Sequence, residues 1–371
     1  MGHFGIAALM QIRARVFAFA KEGASPDLNY TSPAQPSKRT NMIDWHRFKN
    51  LITEHQSFCL TSHVRPDCDA LGSEIGMAHV LESLGKNVQI VNGDATPPNL
   101  SFIDPENRIQ TLHDDISADD IDAEIMMVLD TSAWAQLGPM SDILKQTNAT
   151  KIILDHHVSE DDLGAESFKN TAAEATGRLV IEAADALGVE LTSGMAMPLF
   201  AAIATDTGWY RFPSSGSHTY QFAARLIEAG ASPAAIYSEL YEQETLARVR
   251  LRGMVLARTT TEMNGRLVST YITQNDFKET AALPSDTENL INLTLEISGT
   301  QFAVIFVEQP TGGYKLSFRS RCDLTASGVA ERFNGGGHKA AAGAFLAEGS
   351  LEENMNAVLG FIRDHFPNQA T

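Results

Sequence analysis

Apolar residues follow two rhythms along this chain. Short aliphatic and β-branched runs over 58–62, 88–92, 125–130 and 151–155 predict strands. Between and after them, 71–84 and 176–187 carry apolar residues at helical spacing. Strands alternating with helices are the pattern of an α/β fold built on a doubly wound parallel sheet. Further helices are predicted over 195–204, running into a loop that holds Asp206, and over 217–229 with Ser217 as the cap.

The rhythm changes after Gly230. Residues 232–252 read as a charged connecting helix, a bridge rather than a core element. Strands then follow near 266–272, 301–307 and 313–319, a helix over 325–333, and a glycine cluster that stops it. The expected organisation is a flexible tail over 1–41, because 22–41 is rich in Ser, Pro, Asn and Thr. A catalytic domain over 42–230 comes next, then a linker helix over 231–255 and a smaller C-terminal α/β domain over 256–371, across a cleft from the first.

Length and composition narrow the classes. With 371 residues and 43% hydrophobic content, the chain can bury two cores of ordinary size. A formal net charge of −18 excludes a general basic surface for gripping long duplex nucleic acid, so a nucleic-acid partner should be short and locally held. Cys59, Cys68 and Cys322 are odd in number and lack CxxC spacing, which fits a reducing, cytoplasmic setting. The longest apolar stretch, 6–20, is broken by Gln11, Arg13 and Arg15, so neither a membrane span nor a secretory leader is expected. Ile6 likewise stands where a myristoylation signal wants Ser or Thr.

Three predicted strands end in polar groups, and in open α/β sheets ligands bind at that edge. After the first strand, His63, Asp67 and Asp69 fall within seven residues ahead of a helix. They read either as a metal-ligand set or as a solvated turn with a helix-capping Asp. Asp155, His156 and His157 end the fourth strand, where a ligand, an acid group and an orienting carboxylate can share one turn. Asp130 and Asp206 would each be ordinary cap or turn residues alone, but sequential βα units bring them to the same edge. Four carboxylates gathered there raise one another's pKa unless cations hold them. The mixed oxygen and imidazole set suits manganese, with magnesium as an option. Two ions about 3.5–4 Å apart clamp an in-line displacement at phosphorus. In the second domain, Ser317 to Ser320 and the run Asn334-Gly335-Gly336-Gly337-His338-Lys339 offer backbone, Arg319 and His338 to phosphate oxygens, or else a plain glycine C-cap.

Taken in order, the blocks HVRPDCDALGS, VLDTS, ILDHHVS and ATDTGWYRFP, followed by SFRSRCDLTASGVAERFNGGGHKAAAG, resemble the DHH phosphoesterase superfamily with its DHH-associated domain. Within it, they resemble the bifunctional oligoribonucleases that also dephosphorylate adenosine 3′,5′-bisphosphate. The resemblance implies one manganese on His63, Asp67 and Asp130, and another on Asp69, Asp130, His156 and Asp206. It places His157 against the scissile phosphate with Asp155 orienting the histidine pair, and it assigns Arg319, His338 and the Gly335 to Gly337 loop to substrate binding. Asn334 departs from the pattern, standing where many relatives have glycine.

The expected activity is two-metal hydrolysis of short oligoribonucleotides and of the bisphosphonucleotide, by a protein that acts alone or as a homodimer. A stand-alone cyclic or linear dinucleotide phosphodiesterase is the enzymatic alternative, with a manganese pyrophosphatase behind it. A non-catalytic nucleotide-binding sensor is the alternative from another class, and its mark would be lost ligand residues. A long-strand nuclease would want a basic track or extra domains.

Overall fold

The computed structural model describes residues 43–366, so the tail expected over 1–41 lies outside the described residues. The first half is a six-stranded parallel sheet: β1 (Ser57–Thr61), β2 (Asn87–Asn92), β3 (Ile109–Thr111), β4 (Ile125–Leu129), β5 (Thr150–Asp155) and β6 (Glu166–Lys169). Their spatial order is β3-β2-β1-β4-β5-β6 with parallel pairing throughout. Chain order reverses between β1 and β4, and a doubly wound sheet opens its ligand crevice at that switch point.

The reason for this sheet is visible in β4, all five of whose residues are buried. Ile125, Met127 and Leu129 face one core while Met126 and Val128 face the other. A strand apolar on both sides needs helices on both faces. The larger face is covered by α1 (Trp45–Glu54), α2 (Cys68–Ser83), α4 (Thr176–Leu187) and α5 (Ser193–Asp206), and the smaller by α3 (Met140–Gln146). α6 (Ser217–Glu228) packs outside α5.

Several elements differ from expectation for identifiable reasons. α2 starts three residues early because the Asp67 carboxylate accepts from the Asp69 and Ala70 amides and caps it. Asp206 ends α5 instead of lying in a loop. α6 is capped by Gly216, whose amide bonds the Thr219 hydroxyl, so Ser217 is the first helical residue and not the cap. The expected single connecting helix is two: α7 (Pro233–Tyr241) and α8 (Leu246–Ala257), the second restarted by Thr245 capping the Arg248 amide. Neither is a mere bridge. Ile236 of α7 is buried in the first core, and Leu251 and Val255 of α8 in the second half of the molecule.

That second half holds β7 (Thr260–Glu262), β8 (Leu267–Ile272), α9 (Gln274–Thr280), α10 (Leu290–Thr294), β9 (Phe302–Glu308), β10 (Tyr314–Ser320), α11 (Ala326–Arg332), β11 (Gly336–Gly337), β12 (Ala341–Leu346) and α12 (Leu351–His365). The strands form a mixed sheet in the order β11-β12-β10-β9-β8-β7. α11 and α12 cover one face, and α8 and α10 pack on β8 and β9 of the other. Among the described residues no helix is long and apolar enough to cross a membrane, and all three cysteines are free thiols.

Candidate functional site

The fold gathers His63, Asp67, Asp69, Asp130, His156 and Asp206 at the carboxyl edge of the first sheet. His63 follows β1, Asp130 follows β4 and His156 follows β5, while Asp69 opens α2 and Asp206 closes α5. Ligand-capable atoms of His63, Asp67 and Asp130 lie within 4.8 Å of one another, as do those of Asp69, His156 and Asp206. Asp130 joins the two sets. Its Oδ2 is 3.5 Å from His63 Nε2, and its Oδ1 is 3.5 Å from His156 Nε2. His156 Nε2 is also 3.7 Å from Asp69 and 3.4 Å from Asp206. Asp130 is held at φ +62°, a left-handed conformation costly for a non-glycine residue and typical of strain kept at a functional site.

Both histidines are presented in the form a cation needs. His63 Nδ1 is 3.0 Å from the Val64 carbonyl, and His156 Nδ1 is 3.2 Å from the Ala173 carbonyl. A carbonyl can only accept, so each Nδ1 carries the hydrogen and each Nε2 turns a lone pair toward the carboxylates. The carboxylates resist ionisation unaided. Burial first, then Asp130 and Asp206, push Asp69 well above the usual carboxylate range. Burial and Asp67 do the same to Asp130, and burial raises Asp206. Clustered buried acids beside imidazole lone pairs are a donor set that divalent cations satisfy, so the residues fit the metal centre expected of them.

Asp155 is different. It is fully buried, and burial alone would raise it. Two hydrogen bonds from His157, one from Ser132 and the nearby Lys169 ammonium instead hold it well below the usual range. His157 Nδ1 donates to Asp155 Oδ1 at 2.9 Å, Ser132 donates to Oδ2 at 2.7 Å, and Lys169 Nζ stands 3.1 Å from Oδ2. That bond raises His157 above its ordinary value against the opposing effect of burial. The His157 ring stays 42% exposed, open to a substrate beside Asp130.

Several supporting residues carry no sequence signal. The Thr176 hydroxyl donates to Asp130 Oδ1 at 2.8 Å, and the Thr176 and Gly177 amides at the start of α4 donate to Asp69 at 2.7 and 2.8 Å. Behind His63, Asn92 accepts from the Ser62 amide and donates to Glu74 Oε2 at 2.9 Å. Glu74 is fully buried, which pushes its carboxyl up to about 7 against the pull of the Asn92 bond.

In the second sheet, Arg319 on β10 pairs across with Ala341 of β12, and His338 sits in the tight turn where its amide donates to the Ala341 carbonyl. Both therefore lie at one end of that sheet. The glycines divide by role. A Cβ at Gly335 would meet the Gly343 carbonyl at 2.1 Å, and Gly337 has φ +143° with Ala342 backbone 2.6 Å away, so both serve the β11–β12 approach. Only Gly336 leaves open space. Among the described residues, no hydrogen bond or ion pair joins Arg319 or His338 to the carboxylate–imidazole cluster.

A parallel α/β sheet with paired carboxylate–imidazole sets at its switch point, followed by a mixed-sheet domain, defines a class of metal-dependent hydrolase fold. Residues 57–203 match the DHH family N-terminal domain and 264–366 match the DHHA1 domain. The chain belongs to the DHH phosphoesterase superfamily. It is 29% identical over 306 residues to the bifunctional oligoribonuclease and PAP phosphatase NrnA of Thermus thermophilus, covering 82% of this chain and 89% of that one. It is 24% identical to the cyclic-di-AMP phosphodiesterase GdpP of Geobacillus thermodenitrificans, of which it spans 52%. An exopolyphosphatase-related protein from Bacteroides fragilis superposes with a TM-score of 0.70 at 25% identity, covering 86% of this chain and 96% of that structure.

Proposed function

We infer that this chain is a two-metal phosphoesterase that hydrolyses short oligoribonucleotides and converts adenosine 3′,5′-bisphosphate to AMP and phosphate. The observation that carries the reading is Asp130, whose two oxygens face the Nε2 atoms of two histidines belonging to two separate ligand sets. The likeness to bifunctional oligoribonuclease and PAP phosphatase over most of both chains supports the substrate class. Divalent cations, manganese or alternatively magnesium, supply Lewis acidity at phosphoryl oxygens and lower the pKa of water when bound.

His63, Asp67 and Asp130 would hold one ion, and Asp69, Asp130, His156 and Asp206 the other. The carbonyls of Val64 and Ala173 keep the two imidazoles in the ligating tautomer. His157, fixed through Nδ1 by Asp155, would turn its exposed edge to an oxygen of the scissile phosphate. Arg319 and His338, beside the Gly335 to Gly337 segment, would take the substrate phosphate from the second domain with charge-assisted bonds. Domain boundaries at 42–230 and 256–371 belong to this reading, with the connecting segment 231–255 made of α7 and most of α8, each packed on one of the two halves.

The test compares manganese-loaded and metal-stripped protein on a five-nucleotide RNA, adenosine 3′,5′-bisphosphate and cyclic di-AMP side by side. Metal-dependent turnover of the first two supports the assignment. Preference for the cyclic dinucleotide moves the chain to the phosphodiesterase branch, and nucleotide binding without turnover makes it a sensor.

A further inference from the structure

The loop between β1 and α2 holds a second strained residue besides the ligands it carries. Arg65 has φ +54°, in the left-handed region that a side chain disfavours, and it precedes Pro66, which pushes the residue before it toward extended backbone. Neighbouring loops enforce this conformation. The Val64 amide donates to the Gln136 carbonyl at 2.7 Å, beyond β4, and the Arg65 amide donates to Asp94 Oδ2 at 2.8 Å, beyond β2. Pro66 is buried and Asp67 caps α2. The loop is thereby fixed to its neighbours on both sides, with His63 Nε2 3.9 Å from Asp67 Oδ1.

Glycine would meet the same backbone demand without strain. The arginine side chain gives nothing back within the chain: it is exposed, and among the described residues its guanidinium has no hydrogen bond, ion pair or ring contact. The acids of this corner are engaged elsewhere. Asp94 accepts from the Arg65 amide, Asp67 from the Asp69 and Ala70 amides, and Asp130 from the Thr176 hydroxyl. In a chain of net charge −18, an unpaired cation held between two members of one ligand set suits an anion from outside. Asp130 divides the site into two sides. Its Oδ1 lies toward His156 and His157, and its Oδ2 toward His63. His157 offers a phosphate donor on the first side, and Arg65 belongs to the loop that carries His63 on the second.

We propose that Arg65 is a catalytic residue of the first domain, its guanidinium donating to oxygens of the scissile phosphoryl group from the His63 side of the cluster while His157 attends the other. A planar fork of donors matches a pair of phosphoryl oxygens, and it stabilises the charge that they carry in the transition state. Every substrate of the reaction shares that group, so Arg65 serves the bisphosphonucleotide and the oligoribonucleotide alike, which a contact to a second phosphate would not. The inference rests on the two-metal phosphoesterase reading above.

The test measures kcat and KM of manganese-loaded wild type, Arg65→Gly and Arg65→Lys on adenosine 3′,5′-bisphosphate and a five-nucleotide RNA. Manganese stoichiometry by calorimetry and melting of the metal-stripped proteins are measured alongside. Glycine suits φ +54°, so Arg65→Gly should melt close to wild type and bind the same number of manganese ions. Its kcat should fall about 100-fold, by the same factor on both substrates. Arg65→Lys, which keeps the charge without the fork, should retain more of the rate, and added guanidinium ion should restore part of it to Arg65→Gly. Undiminished turnover by Arg65→Gly, a loss confined to one substrate, or manganese lost in parallel with activity overturns the assignment while leaving the phosphoesterase reading standing. Wild type that turns over neither substrate removes that reading, and the role of Arg65 with it.

Discussion

Replacing Glu74 with Gln isolates one buried ionisable group behind the carboxylate–imidazole cluster. The side chain is fully buried in α2, and its carboxyl is pushed from the ordinary 4.5 to about 7, while Asn92 supplies its hydrogen bond. A folded-state acid with a raised pKa binds its proton more tightly than the unfolded chain does. Its stability contribution is thus fully present below about 4.5 and is lost as pH rises through 7. A shift of about 2.5 units is worth about 3.5 kcal/mol at most, because each unit is about 1.4 kcal/mol. Gln keeps the shape and an acceptor for Asn92 but has nothing to ionise. Urea unfolding of metal-stripped wild type and Glu74→Gln at pH 5 and pH 8 should show the variant gaining about 2–3 kcal/mol relative to wild type between those pH values. Parallel pH dependence in the two proteins would refute the buried-charge argument.

Other outcomes follow from the same geometry. Lys169→Met leaves the buried Asp155 without its cation and should cost about 3–5 kcal/mol in urea unfolding. Thr176→Val removes the hydroxyl that donates to Asp130, and manganese affinity by calorimetry should drop about 10–100-fold. Because burial and mutual repulsion raise Asp69 and Asp130, metal-stripped protein should lose thermal stability as pH rises above the ordinary carboxylate range. Manganese should restore more of it at pH 8 than at pH 5, since it binds the ionised form.

How much of this was legible in sequence depends on the range of each interaction. Strands apolar on both faces, such as β4, announce a parallel sheet, and the polar groups just past their ends then fall at the ligand edge. That logic reaches His63, Asp130, Asp155 and His156 from local pattern alone. It reaches Asp67 incompletely, because capping and clustering are not alternatives there: one carboxylate oxygen caps α2 while the side chain lies beside His63. Thr176, Lys169 and the Glu74–Asn92 pair were invisible because each acts on a partner distant in sequence, Thr176 on Asp130 46 positions away. Nothing local marks Glu74 as special: its burial comes from α5 and β2 packing around α2. The glycine cluster was legible as special but not in its division of labour, since the need for Gly335 and Gly337 arises only when β12 returns beside them. Asp206 at a helix end and the break between α7 and α8 turned on capping, which periodicity does not record.

Whether two cations share Asp130 is read from an anomalous difference map of manganese-soaked crystals. Two peaks about 3.5–4 Å apart are expected, one between His63, Asp67 and Asp130, the other between Asp69, Asp130, His156 and Asp206. A single peak, or two that do not both contact Asp130, would contradict that sharing.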